Sequence, residues 1–476
     1  MPAISGKEFM DRIDRQDTEI WLDGKKVSGK LSNHPAFKGV LKEKAHLYDQ
    51  QLGQSLTYTS PQTGDPVGLS YLQPKSKEDL IQRRHMIEAW AQSTYGLMGR
   101  SPDYMNTVVT AFASSIDYLE GKENCFPENI KALYERARED DLSFTHTFVN
   151  PQVNRSQLNF EDSEEPISAR MVDENEDGII IKGARLLATQ GGLTDEVLVF
   201  SAGGVLDPAH AFAFSIPSDT KGLKFICRPS FVGGESKFDH PLSTRYDEMD
   251  TILVFDNVLV PWDRVFFYNN LEVSNSFMIK SSFQHLALHQ VLTRQVVKLE
   301  LVLGIAETIV QTINIGEYQH IQEKVAEIIT CMETMKALLL KSEQEAELDD
   351  WGYMRPNINP LRVASSSFPK IYPHLTEILQ LLGASGMVTI PSEKDFASPI
   401  QSFLNQYVQG KNADAETRVK IFRLAWDLTM SAFGTRETLY ERYFFGDPIR
   451  LSSMVYKTYP KEEFVDRVKN FLDIEN

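Results

Sequence analysis

The chain has 476 residues, of which 42% are hydrophobic and 24% charged, a composition typical of a globular protein with roughly two to four domains. Its formal net charge of −17 argues against nucleic acid as a partner, because binding to a phosphate backbone needs clustered Lys and Arg side chains. No apolar stretch approaches the roughly 20 residues that span a bilayer, and residues 1–16 lack the apolar core of a signal peptide. We therefore expect a cytoplasmic protein with neither a membrane nor a nucleic-acid partner.

The hydrophobic pattern changes twice along the chain. Before residue 141 it has the period of helices, and "SPDY" at 101–104 places a proline at the first position of one of them. Short runs rich in β-branched and aromatic residues follow, and "ISARMV" and "GIIIKGARLLA" flank the turn signal "DENEDG" like the two strands of a hairpin. After residue 270 the helical period returns, and the last long pattern of this kind covers residues 414–445. We expect an N-terminal helical domain (1–140), a middle β domain (141–270) and a C-terminal four-helix-bundle-like domain (271–476).

The stretch "DLSFTHTFVNPQVNR" at 141–155 places a histidine on the apolar face of a predicted strand. Phe144, His146 and Phe148 are spaced two residues apart, so their side chains share one face. Such a histidine is either a core residue bonded to a backbone carbonyl or part of a buried pocket. The spacing alone leaves both interpretations open.

Several common site motifs are absent from the sequence. There is neither a GxGxxG motif nor a P-loop, so no Rossmann site and no nucleotide-phosphate cradle is indicated. Cys125, Cys227 and Cys331 form neither a disulfide framework nor a CxxC metal pattern. His285 and His289 are four residues apart, but the spacing lacks the Glu of a zinc protease, so we expect them to be structural or to bind something other than a metal. We predict no metal site.

Five stretches of the sequence, in the same order along the chain, resemble a known enzyme family. The family is that of the flavin-dependent phenol hydroxylases of the 4-hydroxyphenylacetate 3-monooxygenase type, oxygenase component. The stretches are "GRSPDYMN" at 99–106, "THTFVNPQVNR" at 145–155, "KGARLLAT" at 182–189, "HPLSTRYDEMDTILVFDNVLVPWDRVF" at 240–266 and "FGTRETLYERYFFGDPIR" at 433–450.

The resemblance implies a fold that is mainly α with a central β domain. The family has an acyl-CoA dehydrogenase-like fold, with an N-terminal helical domain, a middle β-barrel-like domain and a C-terminal helical bundle. This order is the same as that of the three regions predicted from the hydrophobic pattern. The resemblance also implies a homotetramer.

The resemblance implies a two-component monooxygenase of aromatic catabolism. A separate NADH:flavin oxidoreductase would supply reduced FAD as a diffusible species, and O2 would add at the flavin C4a position to give a hydroperoxide. One oxygen atom would then enter a phenol ortho to its hydroxyl, with conversion of 4-hydroxyphenylacetate to 3,4-dihydroxyphenylacetate as the first expectation. The preference for FAD over FMN is that of the family.

The resemblance assigns three residues to catalysis. Arg100 precedes the helix that begins with "SPDY", and its guanidinium is expected to favour the ionised form of the phenol. Tyr104 is expected to position the phenol oxygen by a hydrogen bond, and His146 to hydrogen-bond that oxygen or accept its proton. Without the resemblance, Arg100 would be taken as a surface cap or salt bridge and Tyr104 as a core residue.

Further residues are implied as contacts of the flavin and the substrate. Two glycines in "SAGGVLDPAHA" at 201–211 match a substrate loop, although a plain hairpin turn also explains them. The "GDP" at 446–448 matches a flavin-contacting segment, although a turn after a helix would look the same. The implied flavin contacts are His146, Thr147, Phe148, Gln152, Val153, Asn154, Arg155, Thr189, Gly446, Asp447 and Pro448, and the implied substrate-loop residues are Gly203 and Gly204.

Four other functions are alternatives, and the sequence lacks the cysteine ligands that one of them, the dehydratase, requires. A related monooxygenase acting on chlorophenols or nitrophenols would differ in the 201–211 loop. A 4-hydroxybutyryl-CoA dehydratase needs cysteine ligands for an iron–sulfur cluster, and Gly99 and Asp103 stand where early cysteines would be needed. An acyl-CoA dehydrogenase needs a catalytic carboxylate over a thioester, which nothing in the sequence singles out. A non-catalytic flavin-binding scaffold would not need the combination of Arg100, Tyr104 and His146.

Overall fold

The N-terminal region is mainly helical. The computed structural model describes residues 3–153 and 165–474. Ser5 and Ser76 each begin a helix with a capping box, since each hydroxyl accepts the amide of the third helical residue, whose carboxylate bonds back. Pro102 occupies the first position of its helix, as "SPDY" predicted. The elements are helices α1 (Gly6–Ile13), α2 (Lys38–Gly53), α3 (Lys77–Ser93), α4 (Pro102–Ala113) and α5 (Pro127–Glu139), and strands β1 (Glu19–Leu22), β2 (Lys25–Lys26), β3 (Thr57–Thr59) and β4 (Pro66–Gly68).

The middle region consists of short strands and two long ones, rich in apolar residues. Its elements are β5 (Phe144–Thr147), β6 (Arg170–Glu174), β7 (Gly178–Thr189), β8 (Glu196–Val199), β9 (Phe212–Pro217), β10 (Leu223–Cys227), the short helix α6 (Ser243–Tyr246), β11 (Asp250–Pro261) and β12 (Val265–Tyr268).

These strands form two sheets, with the orders β2-β1-β10-β11-β7-β6 and β12-β9-β8-β5. β6 and β7 pair antiparallel, which confirms the predicted hairpin. β1 pairs in parallel with β10, so the N-terminal region adds strands to a sheet of the middle region. Among the described strands neither order closes on itself, so the region that the resemblance implied to be barrel-like is built from two open sheets.

The C-terminal region is a bundle of helices around α8. Its elements are α7 (Leu271–Lys280), α8 (Phe283–Ile313), α9 (Gln319–Gln344), the strand pair β13 (Glu347–Leu348) and β14 (Met354–Arg355), α10 (Ile358–Gly383), α11 (Glu393–Phe396), α12 (Gln401–Tyr407), α13 (Ala415–Thr429), α14 (Ala432–Tyr443), α15 (Pro448–Thr458) and α16 (Glu462–Phe471).

Helix α8 connects the two helical regions, because it packs against α9 and α10 of the C-terminal region and also against α3 and α4 of the N-terminal region. The helical pattern at 414–445 forms two helices rather than one. Ser431 separates them, since its hydroxyl accepts the amide of Gly434 and begins α14 just after α13 has ended. Within the described residues, every helix is too short or too polar to cross a membrane.

A fully buried network of charges joins α8 to α14. Arg294 donates to both oxygens of the Glu441 carboxylate, at 2.6 and 3.1 Å. Lys298 lies 2.6 Å from Glu441 and 2.7 Å from Glu437. Burial would raise the pKa of Glu441, but Arg294 and Lys298 lower it from 4.5 to about 2. This carboxylate therefore stabilises the fold above about pH 4.5, and the stabilisation is lost as the pH falls towards 2.

We expect Glu441→Gln to lower the free energy of unfolding by about 3–5 kcal/mol, because it leaves the Arg294 guanidinium buried without a counter-ion. Chemical denaturation of the wild type and the variant measures the loss. The matched control is Glu416→Gln, which breaks an exposed pair with Lys420 and should cost less than about 1 kcal/mol. Equal losses in the two variants would contradict this account of the buried network.

Candidate active site

Arg100 lies in the turn before α4, where the helical and β regions meet. Its guanidinium carbon is 4.5 Å from the ring centres of both Tyr104 and Phe444. Its Nη1 donates a hydrogen bond of 2.6 Å to the Tyr440 hydroxyl. Among the described residues, no carboxylate pairs with this guanidinium, and its Nε has no hydrogen-bond partner. In the described part of the chain, Arg100 is therefore a buried cation without a counter-ion, rather than the surface salt bridge of the alternative interpretation.

Tyr104 lies in the first turn of α4 and faces both Arg100 and His146. The ring centres of Tyr104 and His146 are 5.9 Å apart. Burial raises the pKa of the Tyr104 hydroxyl, and the Arg100 charge opposes this effect only in part. The hydroxyl therefore stays protonated at neutral pH and is available as a hydrogen-bond donor.

His146 lies on β5, the edge strand of the four-stranded sheet, on the face predicted from the alternation. Its ring stacks on Phe148 and Phe200, with centres 5.1 and 5.6 Å away. Its Nδ1 is buried and has no hydrogen-bond partner within the described chain, unlike a core histidine bonded to a carbonyl. Burial, and then the charge of Arg100, holds the pKa of His146 well below its ordinary value. The ring is therefore neutral and able to accept a proton or a hydrogen bond.

On the opposite face of β5, Thr145 contacts Thr189 at the end of β7. Thr145 donates a hydrogen bond of 2.7 Å to the backbone oxygen of Thr189. The Thr189 hydroxyl donates to Asp250 Oδ1 at 2.8 Å. Beside them, the Thr147 hydroxyl is buried and has no partner in the part of the chain that the structure describes. Two of the predicted flavin contacts, Thr147 and Thr189, thus lie close to the strand that carries His146.

The other predicted contacts lie at the margins of this cluster. Gln152 and Val153 are exposed after β5, and Asn154 and Arg155 lie outside the described residues. Phe148 is half-buried and stacks on the His146 ring, and its predicted flavin contact remains a prediction.

Two predicted loops have the local geometry of turns. Gly203 and Gly204 have φ of +90° and +74°, in the left-handed region that glycine favours. Gly446 has a φ of +128°, and the Asp447 carboxylate accepts two amides as the cap of α15, which begins at Pro448. Their predicted roles in substrate and flavin binding therefore remain predictions.

Several residues of the cluster were not singled out from the sequence. Tyr440 and Phe444 lie within the matching stretch at 433–450, and Glu248 lies within the one at 240–266. Their membership of those stretches is the one signal that would have found them. Nothing in their local spacing indicates that they contact Arg100.

The two histidines of α8 have protein partners. His285 bonds to the backbone oxygen of Pro356 at 2.9 Å, and burial lowers its pKa to about 4. His289 Nε2 lies 2.8 Å from the Glu343 carboxylate. Both contacts fit the structural interpretation of this pair.

The class of protein is defined by two helical regions that enclose a pair of sheets, with a buried arginine, tyrosine and histidine where they meet. This order of regions is the acyl-CoA dehydrogenase-like fold, and the three buried side chains form a candidate active site. Residues 5–267 match the family model of the 4-hydroxyphenylacetate 3-hydroxylase N terminal domain, and residues 274–473 match that of the C terminal domain. The chain belongs to the 4-hydroxyphenylacetate 3-hydroxylase family.

Individual relatives are similar to the chain over nearly its whole length. A probable 4-hydroxyphenylacetate 3-monooxygenase of Bacillus subtilis (strain 168) is 60% identical over 99% of each chain. The oxygenase component of 4-hydroxyphenylacetate 3-monooxygenase from Geobacillus sp. (strain PA-9) is 44% identical over 99% of this chain and 97% of its own. A crystal structure of such an oxygenase component with FAD and 4-hydroxyphenylacetate has a TM-score of 0.94 at 41% identity, over 99% of this chain and 98% of its own.

We expect the His146 ring to remain neutral through the range around pH 6.5 in which an ordinary histidine titrates. The reason is that burial and the Arg100 charge hold its pKa well below that value. NMR titration of protein labelled with ¹³C in its histidine rings measures this, with the signal assigned by its loss in His146→Gln. Free N-acetylhistidine in the same buffer serves as the reference. A midpoint for His146 at or above 6.5 would contradict the prediction.

Proposed function

We propose that the chain is the oxygenase component of a two-component 4-hydroxyphenylacetate 3-monooxygenase. It would catalyse the reaction of 4-hydroxyphenylacetate, O2 and reduced FAD to 3,4-dihydroxyphenylacetate, water and oxidised FAD. The observation that carries the proposal is the buried Arg100 guanidinium, which has no carboxylate partner among the described residues and lies beside Tyr104 and a neutral His146.

Arg100 fits the binding of a phenol oxygen because a buried cation without a counter-ion stabilises an anion close to it. A phenolate carries more electron density at its ortho carbons than the neutral phenol, so ionisation prepares the ring for attack by an electrophilic oxygen. Tyr104, protonated and in contact with the same guanidinium, can donate a hydrogen bond to the phenol oxygen. The two side chains together favour the ionised substrate and fix its orientation.

His146 fits the role of proton acceptor. Its ring is neutral, and Nδ1 has no partner in the described chain. A neutral imidazole beside the phenol can accept its proton or hydrogen-bond its oxygen. Stacking on Phe148 and Phe200 holds the ring in one orientation and limits access of water to the site.

The residues around Thr189 fit a reduced flavin. Bound reduced FAD supplies two electrons and reacts with O2 to provide the oxygen atom that is transferred. Burial would raise the pKa of Asp250, but Arg436 and Arg228 hold it at about 2, so the carboxylate is ionised and the Thr189 hydroxyl must donate to it. Thr189 is left with lone pairs that accept, which suits the N5–H donor of a reduced isoalloxazine rather than the N5 acceptor of an oxidised one.

The proposal includes a cytoplasmic setting, a separate NADH:flavin oxidoreductase that delivers reduced FAD by diffusion, and a homotetramer. The relatives named as oxygenase components support the reductase. Exposed apolar side chains on α15 and α16 support an interface between subunits, since large apolar side chains at a monomer surface mark association sites. They include Ile449, Tyr456 and Phe471, which are 79%, 71% and 86% exposed.

The test of the function begins without oxygen. The purified chain is mixed with chemically reduced FAD, 4-hydroxyphenylacetate and O2 are added, and the catechol and hydrogen peroxide are quantified. We expect near-stoichiometric catechol. Binding of reduced FAD with peroxide but no catechol would keep the flavin-dependent oxygenase and indicate another phenol as its substrate, such as a chlorophenol or nitrophenol. Because free reduced FAD itself forms peroxide with O2, oxidation at the same rate with and without the chain would refute the proposal in favour of a scaffold.

We expect Thr189→Val to weaken the binding of reduced FAD about fivefold, the effect of one lost hydrogen bond of about 1 kcal/mol, and to leave the binding of oxidised FAD nearly unchanged. Anaerobic and aerobic titrations give the two dissociation constants. The matched control is Thr251→Val, which removes another buried threonine hydroxyl of the same sheet, one that donates to Ala188 O at 3.0 Å. Equal losses for the two redox states would contradict the role of Thr189 as an acceptor.

A further inference from the structure

A buried carboxylate holds the backbone of Arg100. Glu248 is fully buried just before β11, and its Oε1 and Oε2 accept the amides of Arg100 and Gly99 at 2.7 and 2.9 Å. The Gln190 side-chain amide donates to Glu248 Oε1 at 2.7 Å and to the backbone oxygen of Arg100 at 3.1 Å. Two side chains thus bind both the N–H and the C=O of Arg100.

The hydrogen bonds of Glu248 are those of an ionised carboxylate. Burial raises its pKa, and the Arg436 cation, with Nη1 at 3.7 Å from Oε2, opposes this only in part while the Glu437 charge adds to it. Every hydrogen bond that Glu248 makes within the described chain is one that it accepts. A carboxyl proton would have no acceptor there and would displace one of these donors.

The same segment is connected to Thr189 through Asp250. Arg436 donates to both oxygens of Asp250, at 2.9 and 2.7 Å, and Asp250 also accepts the Thr189 hydroxyl. Arg436 therefore lies between two carboxylates, one bonded to the Arg100 backbone and one bonded to Thr189. We call Glu248, Asp250 and Arg436 the carboxylate bracket.

Tyr440 also packs against the turn that carries Arg100, at Gly99. A Cβ added at Gly99 would lie 2.1 Å from the Tyr440 hydroxyl, so only glycine fits there. That hydroxyl also accepts the hydrogen bond from Arg100 Nη1. The side chain of Arg100 has no ion pair in the described chain to fix it, so its location depends on its backbone, on this hydrogen bond, on a longer one of 3.3 Å from Nη1 to the Gly99 backbone oxygen, and on the rings of Tyr104 and Phe444.

We propose that Glu248 is a positioning residue, and that the carboxylate bracket sets the place of the Arg100 cation relative to Thr189. The inference rests on the proposed function, which assigns Arg100 to the phenol oxygen and Thr189 to the reduced flavin. A reacting group that moves by about 1 Å can lose about 100-fold in rate. A rigid connection between the two halves of the site is therefore needed for transfer of oxygen to the phenol.

The test replaces Glu248 by Gln, which keeps the shape but turns an NH2 group towards one of the amide donors. The probe is 3-fluoro-4-hydroxyphenylacetate bound to the full chain with oxidised FAD, and ¹⁹F NMR reports ionisation of the phenol as a function of pH. In the wild type we expect the bound phenol to ionise at lower pH than the free one. In Glu248→Gln we expect the ratio of phenolate to phenol at fixed pH to fall about tenfold, one pKa unit.

The matched control is Asp427→Asn. Asp427 is fully buried and also accepts two consecutive backbone amides, those of Leu242 and Ser243, both at 2.9 Å. The Asp427→Asn substitution should lower the free energy of unfolding while leaving the ionisation of the bound phenol unchanged. Gln190→Met is the second test variant, because it removes the side-chain amide that bonds to both Glu248 and Arg100. It should lower the ratio of bound phenolate to phenol, as Glu248→Gln does.

The outcomes distinguish a failure of the positioning role of the carboxylate bracket from a failure of the proposed function. Arg100→Met should abolish the wild-type shift of the phenol pKa; if it does not, the proposed role of Arg100 fails, and this inference fails with it. If Arg100→Met abolishes the shift but Glu248→Gln and Gln190→Met both leave it intact, the bracket alone is refuted. An equal effect of Asp427→Asn would also refute it, since the change would then follow from lost stability. If Glu248→Gln does not fold, Gln190→Met decides.

Discussion

The ion pair between Arg436 and Asp250 is the contact on which the arrangement of the site depends. Helix α14 contributes Arg436, and the six-stranded sheet contributes Asp250, so this pair fixes the helical bundle against the middle region. Five residues further along α14, Glu441 pairs with Arg294 and Lys298 of α8. Separating a buried charge from its partner strongly lowers the stability of the fold, because the cost of desolvation is then uncompensated. A single helix thereby holds the sheet, the bundle and the turn before α4 in one relative position.

Arg100 differs in this respect from the arginines of α8 and α14 that lie beside it. Arg294 and Arg436 each have a carboxylate partner, whereas Arg100, within the described residues, has a tyrosine hydroxyl and two aromatic rings. The ring faces stabilise the cation weakly and leave its charge uncompensated. An anion that enters the site gains the interaction that the described residues do not provide. His146, kept neutral by the same charge and by burial, complements this by offering an acceptor rather than a second cation.

Sequence patterns predicted those parts of the structure that depend on local periodicity and capping. The start of α4 at Pro102, the hairpin of β6 and β7 and the inward face of His146 were each predicted from spacing or turn residues. The break of the pattern at 414–445 was missed, because the apolar period continues through Ser431 and only its cap hydrogen bond separates α13 from α14. The addition of β1 to the six-stranded sheet was missed because pairing with β10 joins residues some 200 positions apart in sequence.

In the candidate site, too, some features were predictable from the sequence and others depend on tertiary structure alone. The sequence by itself determined the order of the helical and β regions and, through the matching stretches, singled out Arg100, Tyr104, His146 and Thr189. Tertiary structure alone decided that Tyr440 and Phe444 enclose the guanidinium and that Glu248 holds its backbone. The physical reason is that periodicity records which side of an element is apolar, whereas a hydrogen bond between distant segments depends on how whole elements pack. The partners of a buried charge are therefore set by the fold, even though each partner is a single residue in the chain.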